Sequence, residues 1–336
     1  ADAGCIAVSG ATHQIVGPAF VYEPFGVHSG KAIGRKIEVF LVIDKDDRAI
    51  VELEEGDASD TPLVGREHET GLFNDRWAQV RNGAGQVILV CAEAGVGKTR
   101  LLAEFREQIG DASAYTFQAR CSTYYQDSAF YPISGLLMHL AQFQAEDSDD
   151  VKLAKMESLC QRHDVPLETV MPLIVDLVSI PLGPKYAVFE GSPERRKQKT
   201  IEAIVELLLA SSELRPLLFT VEDLHWIDPT TLEFLTVLID QVPSARILLV
   251  ATYRPEFTSP WQMHEGLTQL MIGNLTAQQT SEVIARTADG HALPGEVVDH
   301  IIQKTGGVPL FTEELTKLIL EADFLQKEGD QYVLAR

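Results

Sequence analysis

The sequence predicts an α/β fold: a mainly parallel sheet flanked by helices, with a helical insertion, a C-terminal helical region and a small strand-rich segment at the N-terminus. Three observations predict it. From about residue 62 onward, strand-like and helix-like segments alternate, the pattern of a parallel sheet covered by helices. Three of the four strand candidates in this part are near-continuous apolar runs, as strands buried on both faces are. Between the second and third of the four candidates lies a long stretch whose apolar residues recur at helical spacing instead.

In chain order, Ala1 to about Asp44 reads as short apolar stretches (CIAVS, FVYEPFG, KIEVFLVID) punctuated by glycine and proline, hence strands joined by turns. The next segment, DKDDRAIVELEEGDASDTP, is crowded with acid and predicts an exposed linker over 45–61. The strand candidates beyond it are QVILVC (Gln86–Cys91), AYTFQA (Ala114–Ala119), PLLFTV (Pro216–Val221) and RILLVA (Arg246–Ala251). The segments ISGLLMHLAQF, VKLAKMESL and LETVMPLIVDLV predict the helical insertion, about 128–185. An amphipathic helix, RKQKTIEAIVELLLASS, follows, with Ile201, Ile204, Val205 and Leu208 opposite a basic, solvated cluster ERRKQK. Three further helical segments (TAQQTSEVIARTA, GEVVDHIIQKT, PLFTEELTKLILEA) and a hairpin-like FLQKEGDQYVLA complete the chain. The expected partition is therefore 1–44, the linker 45–61, an α/β body 62–288 that includes the helical insertion, and a C-terminal helical region 289–336.

With 336 residues, 45% apolar content, 7% aromatics and 24 glycines, the composition is that of an ordinary globular chain. The formal charge of −21 is not ordinary. Such an acidic surface repels nucleic acid and anionic lipid, so an anion must be held by a local arrangement of donors and not by a basic face. No window approaches the roughly 18 consecutive apolar residues of a membrane span, and the run IVELLLA is broken by Glu206. No basic region precedes an apolar stretch at the start, so no export signal is expected, and a chain that begins at Ala1 without methionine reads as part of a longer one. Cys5, Cys91, Cys121 and Cys160 lack CxxC spacing, which argues against a zinc site or disulfide framework and for a reducing cytoplasm.

The chemistry begins at AEAGVGKTR, Ala92 to Arg100, between the strand QVILVC and the helix TRLLAEFREQI. The phosphate-loop pattern GxxxxGK[ST] needs this context: a strand ends, a glycine-rich turn points backbone N–H groups inward, and a helix presents its positive end. Ala94, Gly95, Val96, Gly97 and Arg100 belong to this expected cradle, Lys98 can reach the outer phosphates, and the Thr99 hydroxyl can ligate Mg²⁺. Only Ala92 departs from the pattern. Alanine keeps its backbone N–H, and even a forced positive φ would cost about 1 to 2 kcal/mol, against roughly 8 kcal/mol for micromolar binding. The loop is expected to survive it.

A nucleotide hydrolase also needs acid at the end of a neighbouring strand, to hold Mg²⁺ and to orient attacking water. PLLFTVEDLHWIDPTTLEFL supplies Glu222 and Asp223 there, with position favouring Glu222 for the metal and Asp223 for the water, although the roles could be exchanged. His225 and Trp226 are expected as a hydrogen-bonded, packed histidine and a core tryptophan, with a contact near the reacting phosphate as the alternative. Asp228 before Pro229 reads as a helix N-cap. Arg254, in TYRPEF at the end of another strand, is placed either to sense a terminal phosphate or to pair at the surface.

With these residues in place, the chain resembles the signal-transduction ATPases with numerous domains, the STAND class of P-loop NTPases. It is particularly similar to the ATPase module that follows a class III nucleotide cyclase domain in multidomain bacterial regulators. The resemblance spans roughly Thr61 to Leu325 and rests on VGREHE, the phosphate loop, CSTYYQDSAFYP, VEDLHWIDPTTLEFL, TYRPEF and GGVPLFTEEL in the family's order. It implies that Val64, Gly65 and Arg66 help hold adenine, that Gly307 and Pro309 approach the base, and that Arg254 senses the γ-phosphate. The first 44 residues look like the tail of a cyclase domain that lacks its catalytic residues, so no cyclase activity is expected from this chain. Implied partners are the cyclase, a winged-helix segment and helical repeats of the parent. The expected function is a slow, Mg²⁺-dependent ATPase acting as a signalling switch between ATP and ADP states. The alternative is a non-hydrolysing nucleotide-binding scaffold that controls an attached cyclase, while a small-molecule phosphotransferase lacks an acceptor motif.

Overall fold

The computed structural model describes residues 6–9, 12–13, 20–29, 36–45, 63–110, 113–123, 125–126, 128–261, 266–322, 325–329 and 331–334. The chain divides into two compact units, Ala1–Pro62 and Leu63–Arg336. The linker expected over 45–61 lies, apart from Lys45, outside the described residues, as do Cys5 and, in CSTYYQDSAFYP, Tyr124 and Asp127.

In the first unit, β1 (Ile6–Ser9), β2 (Phe20–Ser29) and β3 (Lys36–Lys45) form an antiparallel sheet of order β1-β3-β2. The β2 register shifts between Pro24 and Gly26, where proline has no N–H to give to the ladder.

The second unit is built on five strands, β4 (Gln86–Cys91), β5 (Tyr115–Arg120), β6 (Leu217–Glu222), β7 (Ile247–Tyr253) and β8 (Leu267–Met271), in the order β5-β6-β7-β4-β8. Every pairing among them is parallel. Side chains alternate across a strand, and the two faces accordingly feed two cores. Val87, Leu89, Leu217, Phe219, Leu249 and Ala251 join one apolar cluster, and Ile88, Val90, Leu218, Leu248 and Val250 join the other. The second cluster is closed by α1 (Glu67–Arg81) and α2 (Lys98–Ile109), through Phe73, Trp77, Leu101 and Phe105. The first is closed by α3 (Tyr131–Leu140), α4 (Asp149–Arg162), α5 (Leu167–Ile174), α6 (Pro193–Leu214) and α7 (Pro229–Gln241). In α6 the expected apolar face, Ile201, Ile204, Val205 and Leu208, is buried.

Three more helices follow β8: α8 (Ala277–Thr287), α9 (Gly295–Thr305) and α10 (Pro309–Glu321). The antiparallel pair β9 (Leu325–Glu328) and β10 (Gln331–Leu334) forms the expected hairpin. Among the described residues no helix is long and apolar enough to cross a membrane. Cys91, Cys121 and Cys160 are free and buried. Burial pushes the Cys121 thiol up to about 12 and the Cys160 thiol to about 11, which makes both inert.

Asp228 caps α7, its Oδ1 accepting the N–H groups of Thr230 at 3.0 Å and Thr231 at 2.9 Å. Because the cap is buried and serves two amides, Asp228→Ala should lower unfolding stability by about 1–2 kcal/mol. Urea denaturation of the two proteins measures this; equal midpoints would show that the cap contributes nothing.

Candidate functional site

Parallel strands all point their C-terminal ends one way, so the residues that follow β4, β6 and β7 gather along a single edge of the sheet. The loop after β4 runs from Ala92 to Gly97 and opens directly into α2. Gly97 precedes the helix with φ at 99°, a conformation costly for any residue with a Cβ, and a Cβ built there would meet no atom within 4 Å. The space beside Gly97, next to the first amides of α2, is therefore unfilled by protein atoms. Ala92 is not among the positive-φ residues, and its N–H is engaged by the Tyr253 carbonyl at 3.1 Å. Alanine at the first position is thus compatible with the loop, without strain.

Lys98 folds back across the loop, donating from Nζ to the carbonyls of Ala92 at 2.8 Å and Glu93 at 2.9 Å. Burial lowers its pKa below the ordinary lysine value, with Asp223 opposing and Arg254 adding to the shift. The Thr99 hydroxyl donates to Oε2 of Glu222 at 2.7 Å, and Gln118 Nε2 donates to Oε1 of the same carboxylate at 2.7 Å. Glu222 is 1% exposed and so fully desolvated between these two donors. It is the last residue of β6, not the first beyond it, because Arg120 of β5 pairs with it and carries the ladder one residue further than the apolar run suggested.

Asp223 leaves the strand with φ at 60°, its N–H held by Thr252 Oγ1 at 3.1 Å and its carboxylate 3.3 Å from Arg120 Nε. Arg254 follows β7, and its Nε is buried with no hydrogen-bond partner. His225 is packed, at 4% side-chain exposure and 4.9 Å from the Trp226 ring, but the expected hydrogen bonds are missing: both ring nitrogens are buried and unpartnered. The ring follows the short turn Leu224–Trp226 and lies with Nδ1 4.0 Å from Asp223 Oδ1, beyond hydrogen-bonding distance. Burial lowers the His225 pKa, with Asp223 working against it.

A second group of residues assembles around the other end of the loop. Arg66 is buried and donates from one guanidinium nitrogen to the Val96 carbonyl at 3.1 Å and the Gly273 carbonyl at 2.8 Å. Val64 packs with Leu275 and Val283, and the Gly65 carbonyl accepts from Gln279 Nε2 at 3.2 Å. The Gly307 carbonyl accepts the Leu275 N–H at 2.8 Å; at φ 77°, a Cβ there would lie 2.2 Å from the Leu275 carbonyl oxygen, so only glycine fits. Pro309 starts α10, whose Leu310 N–H reaches the Gly95 carbonyl at 3.2 Å. Arg100, expected at the nucleotide, has its guanidinium 2.6 Å from the buried carboxylate of Glu313 on α10.

Residues 62–250 match the AAA ATPase domain family. The chain belongs to that family. A curated relative, an uncharacterized protein of Rhizobium meliloti (strain 1021), is 29% identical over 262 residues; the match covers 77% of this chain, which spans only 25% of that protein. Among solved structures, this AAA ATPase module is similar to a signal transduction ATPase with numerous domains from Pyrococcus horikoshii that carries a tetratricopeptide repeat sensor. That similarity is 16% identity, 80% of this chain and 30% of that one, at a TM-score of 0.41. It is likewise similar to a RuvB mutant of Thermotoga maritima, at 14% identity, 78% and 66% coverage and a TM-score of 0.41. At those scores neither structure carries residue roles across.

Family membership implies nucleotide binding and ATPase chemistry. The sequence reading missed the partners of the candidate site residues: Gln118 bonds to Glu222, Arg120 and Thr252 bond to Asp223, and Glu313 engages Arg100. None stands in a recognisable motif with its partner; Gln118 and Arg120 carried one faint signal, as half-buried polar residues alternating at the end of β5.

Proposed function

We propose that this AAA ATPase module binds ATP with Mg²⁺, hydrolyses it slowly, and works as a nucleotide-driven switch inside a larger regulator of the STAND type. The observation that carries the proposal is the 2.7 Å contact between the Thr99 hydroxyl, at the start of α2, and the buried Glu222 carboxylate. It sets two oxygen ligands of the kind Mg²⁺ prefers beside an open phosphate cradle. Among the described residues no cluster of three or more histidine, cysteine or acidic side chains could hold a metal alone. Mg²⁺ commonly uses one or two protein oxygens and completes its shell with phosphates and water, so this donor set suits it. Two unpartnered buried groups beside the loop, Arg254 Nε and the His225 ring, further support an anionic ligand there.

A bound Mg·ATP would supply the electrophilic phosphoryl group and the metal charge that stabilises it. The residues of the chain would then divide the remaining work. Amides of Ala94, Gly95, Val96 and Gly97 and the positive end of α2 hold the phosphates, with Lys98 leaving the loop carbonyls for them. Thr99 and Glu222 hold the metal, and Asp223, released from Arg120, takes the proton of attacking water. Arg254 contacts the terminal phosphate. Val64, Gly65, Arg66, Gly307 and Pro309 enclose the base, while Arg100 ties the loop helix to α10.

Removal of the γ-phosphate can shift the module between two states only by contacts that differ between them, and those named above supply them. The proposed setting is cytoplasmic, with a cyclase domain before the module and winged-helix and helical-repeat segments beyond it. Phosphate release by the purified chain tests the reading: turnover that needs Mg²⁺ and stops with EDTA is expected. The pairing of Asp223 with Arg120 favours the second reading, a nucleotide-binding scaffold without hydrolysis, since the carboxylate is already engaged by a guanidinium and must leave it to meet an attacking water. Mg·ATP binding with no phosphate released would select it.

A further inference from the structure

His225 is the one residue beside the acids whose polar atoms have no hydrogen-bond partner at all among the described residues. Its side chain is 4% exposed, and Nδ1 and Nε2 are both buried without a hydrogen bond. A buried polar atom without a partner is costly in a folded protein, so native structures rarely leave two on one ring. The ring does not lie in an apolar part of the core, where that cost would have no return. Nδ1 is 4.0 Å from Oδ1 of Asp223, and Lys98, Arg254 and Glu256 are the other charged groups whose fields act on it. These are the groups along the reacting edge of the sheet.

Its position is fixed from three sides. The left-handed turn at Asp223, held by Thr252, aims the chain after β6 along that edge. The Leu224 side chain is fully buried and anchors the following turn in the core. The Trp226 ring packs against the imidazole at an interplanar angle of 48°, and Nδ1 lies 4.0 Å from Asp223 Oδ1.

We propose that His225 is a phosphate-reading residue: it donates a hydrogen bond to the terminal phosphoryl group of a bound nucleoside triphosphate and so distinguishes triphosphate from diphosphate. The inference rests on the nucleotide-binding reading above and adds to it the discrimination between the two ligand states. One imidazole nitrogen donates to the phosphoryl oxygen, and the other is left to the water beside Asp223. Loss of the terminal phosphate returns the ring to its unpartnered state, which makes His225 a sensor of hydrolysis and not only a contact.

The test compares affinities of the purified chain for a non-hydrolysable ATP analogue and for ADP, both with Mg²⁺. His225→Phe keeps a ring against Trp226 and removes the donor. It should weaken the triphosphate analogue about ten- to a hundredfold, the factor of one charge-assisted hydrogen bond, and leave ADP within about twofold. His225→Gln, which restores an N–H at similar reach, should recover part of the loss. Unchanged affinity for both ligands, or parallel loss of both, overturns the proposal and leaves a packing role. Should the phenylalanine variant not fold, ring ¹⁵N spectra of the wild-type protein decide: the His225 signal, assigned by its absence in His225→Gln, must shift with the analogue and not with ADP. Binding of neither ligand by the wild-type chain would overturn the nucleotide reading itself, an outcome distinct from binding without discrimination.

Discussion

Lys98→Ala is expected to weaken nucleotide binding by about ten- to a hundredfold, the value of one buried charge-assisted contact. The folded structure predicts that stability will change little in the same variant. Nζ serves only the carbonyls of Ala92 and Glu93, and the Ala92 N–H is held independently by Tyr253. The ammonium is also partly desolvated, as its lowered pKa shows, so removing it takes away a charge that already bears a burial cost. Titration calorimetry with Mg·ATP and Mg·ADP measures the affinity, and thermal unfolding of the ligand-free proteins separates it from a folding defect. Wild-type affinity in the variant would mean that the loop after β4 does not hold the phosphates.

The second large effect is expected at Glu222. Glu222→Gln preserves shape and keeps an oxygen for one of the two donors, Thr99 or Gln118, while removing the charge that a metal beside Thr99 requires. Phosphate release should fall about a hundredfold or more, since a metal held in place is worth several kcal/mol of transition-state stabilisation. Nucleotide affinity in the absence of Mg²⁺ should be close to wild type. If release falls equally in Asp223→Asn while only Glu222→Gln changes the Mg²⁺ concentration for half-maximal rate, the division of roles is as described. A Mg²⁺ requirement shifted by the Asp223 variant instead would exchange the two carboxylates.

The sequence made the sheet centre legible because β4, β6 and β7 are buried on both faces, and short β-branched-rich apolar runs such as QVILVC suit strands buried in that way. It did not disclose β8, whose LTQLM buries one residue of five at the sheet edge and carries no apolar signature. The helix α1 was missed for a related reason: only Phe73, Trp77 and Val80 of its fifteen residues are buried, too few to raise a clear periodic pattern. At the site, glycines, lysine, threonine and acids directly after strands could be read from local order alone. Their supports could not. Gln118 meets Glu222 across 104 residues and Arg100 meets Glu313 across 213, contacts that exist only once the strand order is known. The unsatisfied ring of His225 was invisible for the same reason, because what a buried nitrogen lacks depends on everything packed around it.

The bond from Leu310 N–H to the Gly95 carbonyl has a thermodynamic corollary. A single donor and acceptor belong at once to the anion cradle and to the first turn of the last long helix, so the two cannot relax separately. Reciprocity then applies: if a ligand in the cradle loosens that helix by some factor, tension or a binding partner acting on the helix must alter the ligand's dissociation constant by the same factor. Force transmitted along Pro309–Glu321 would thus be readable as a change in nucleotide affinity, with no need for any partner to approach the phosphates.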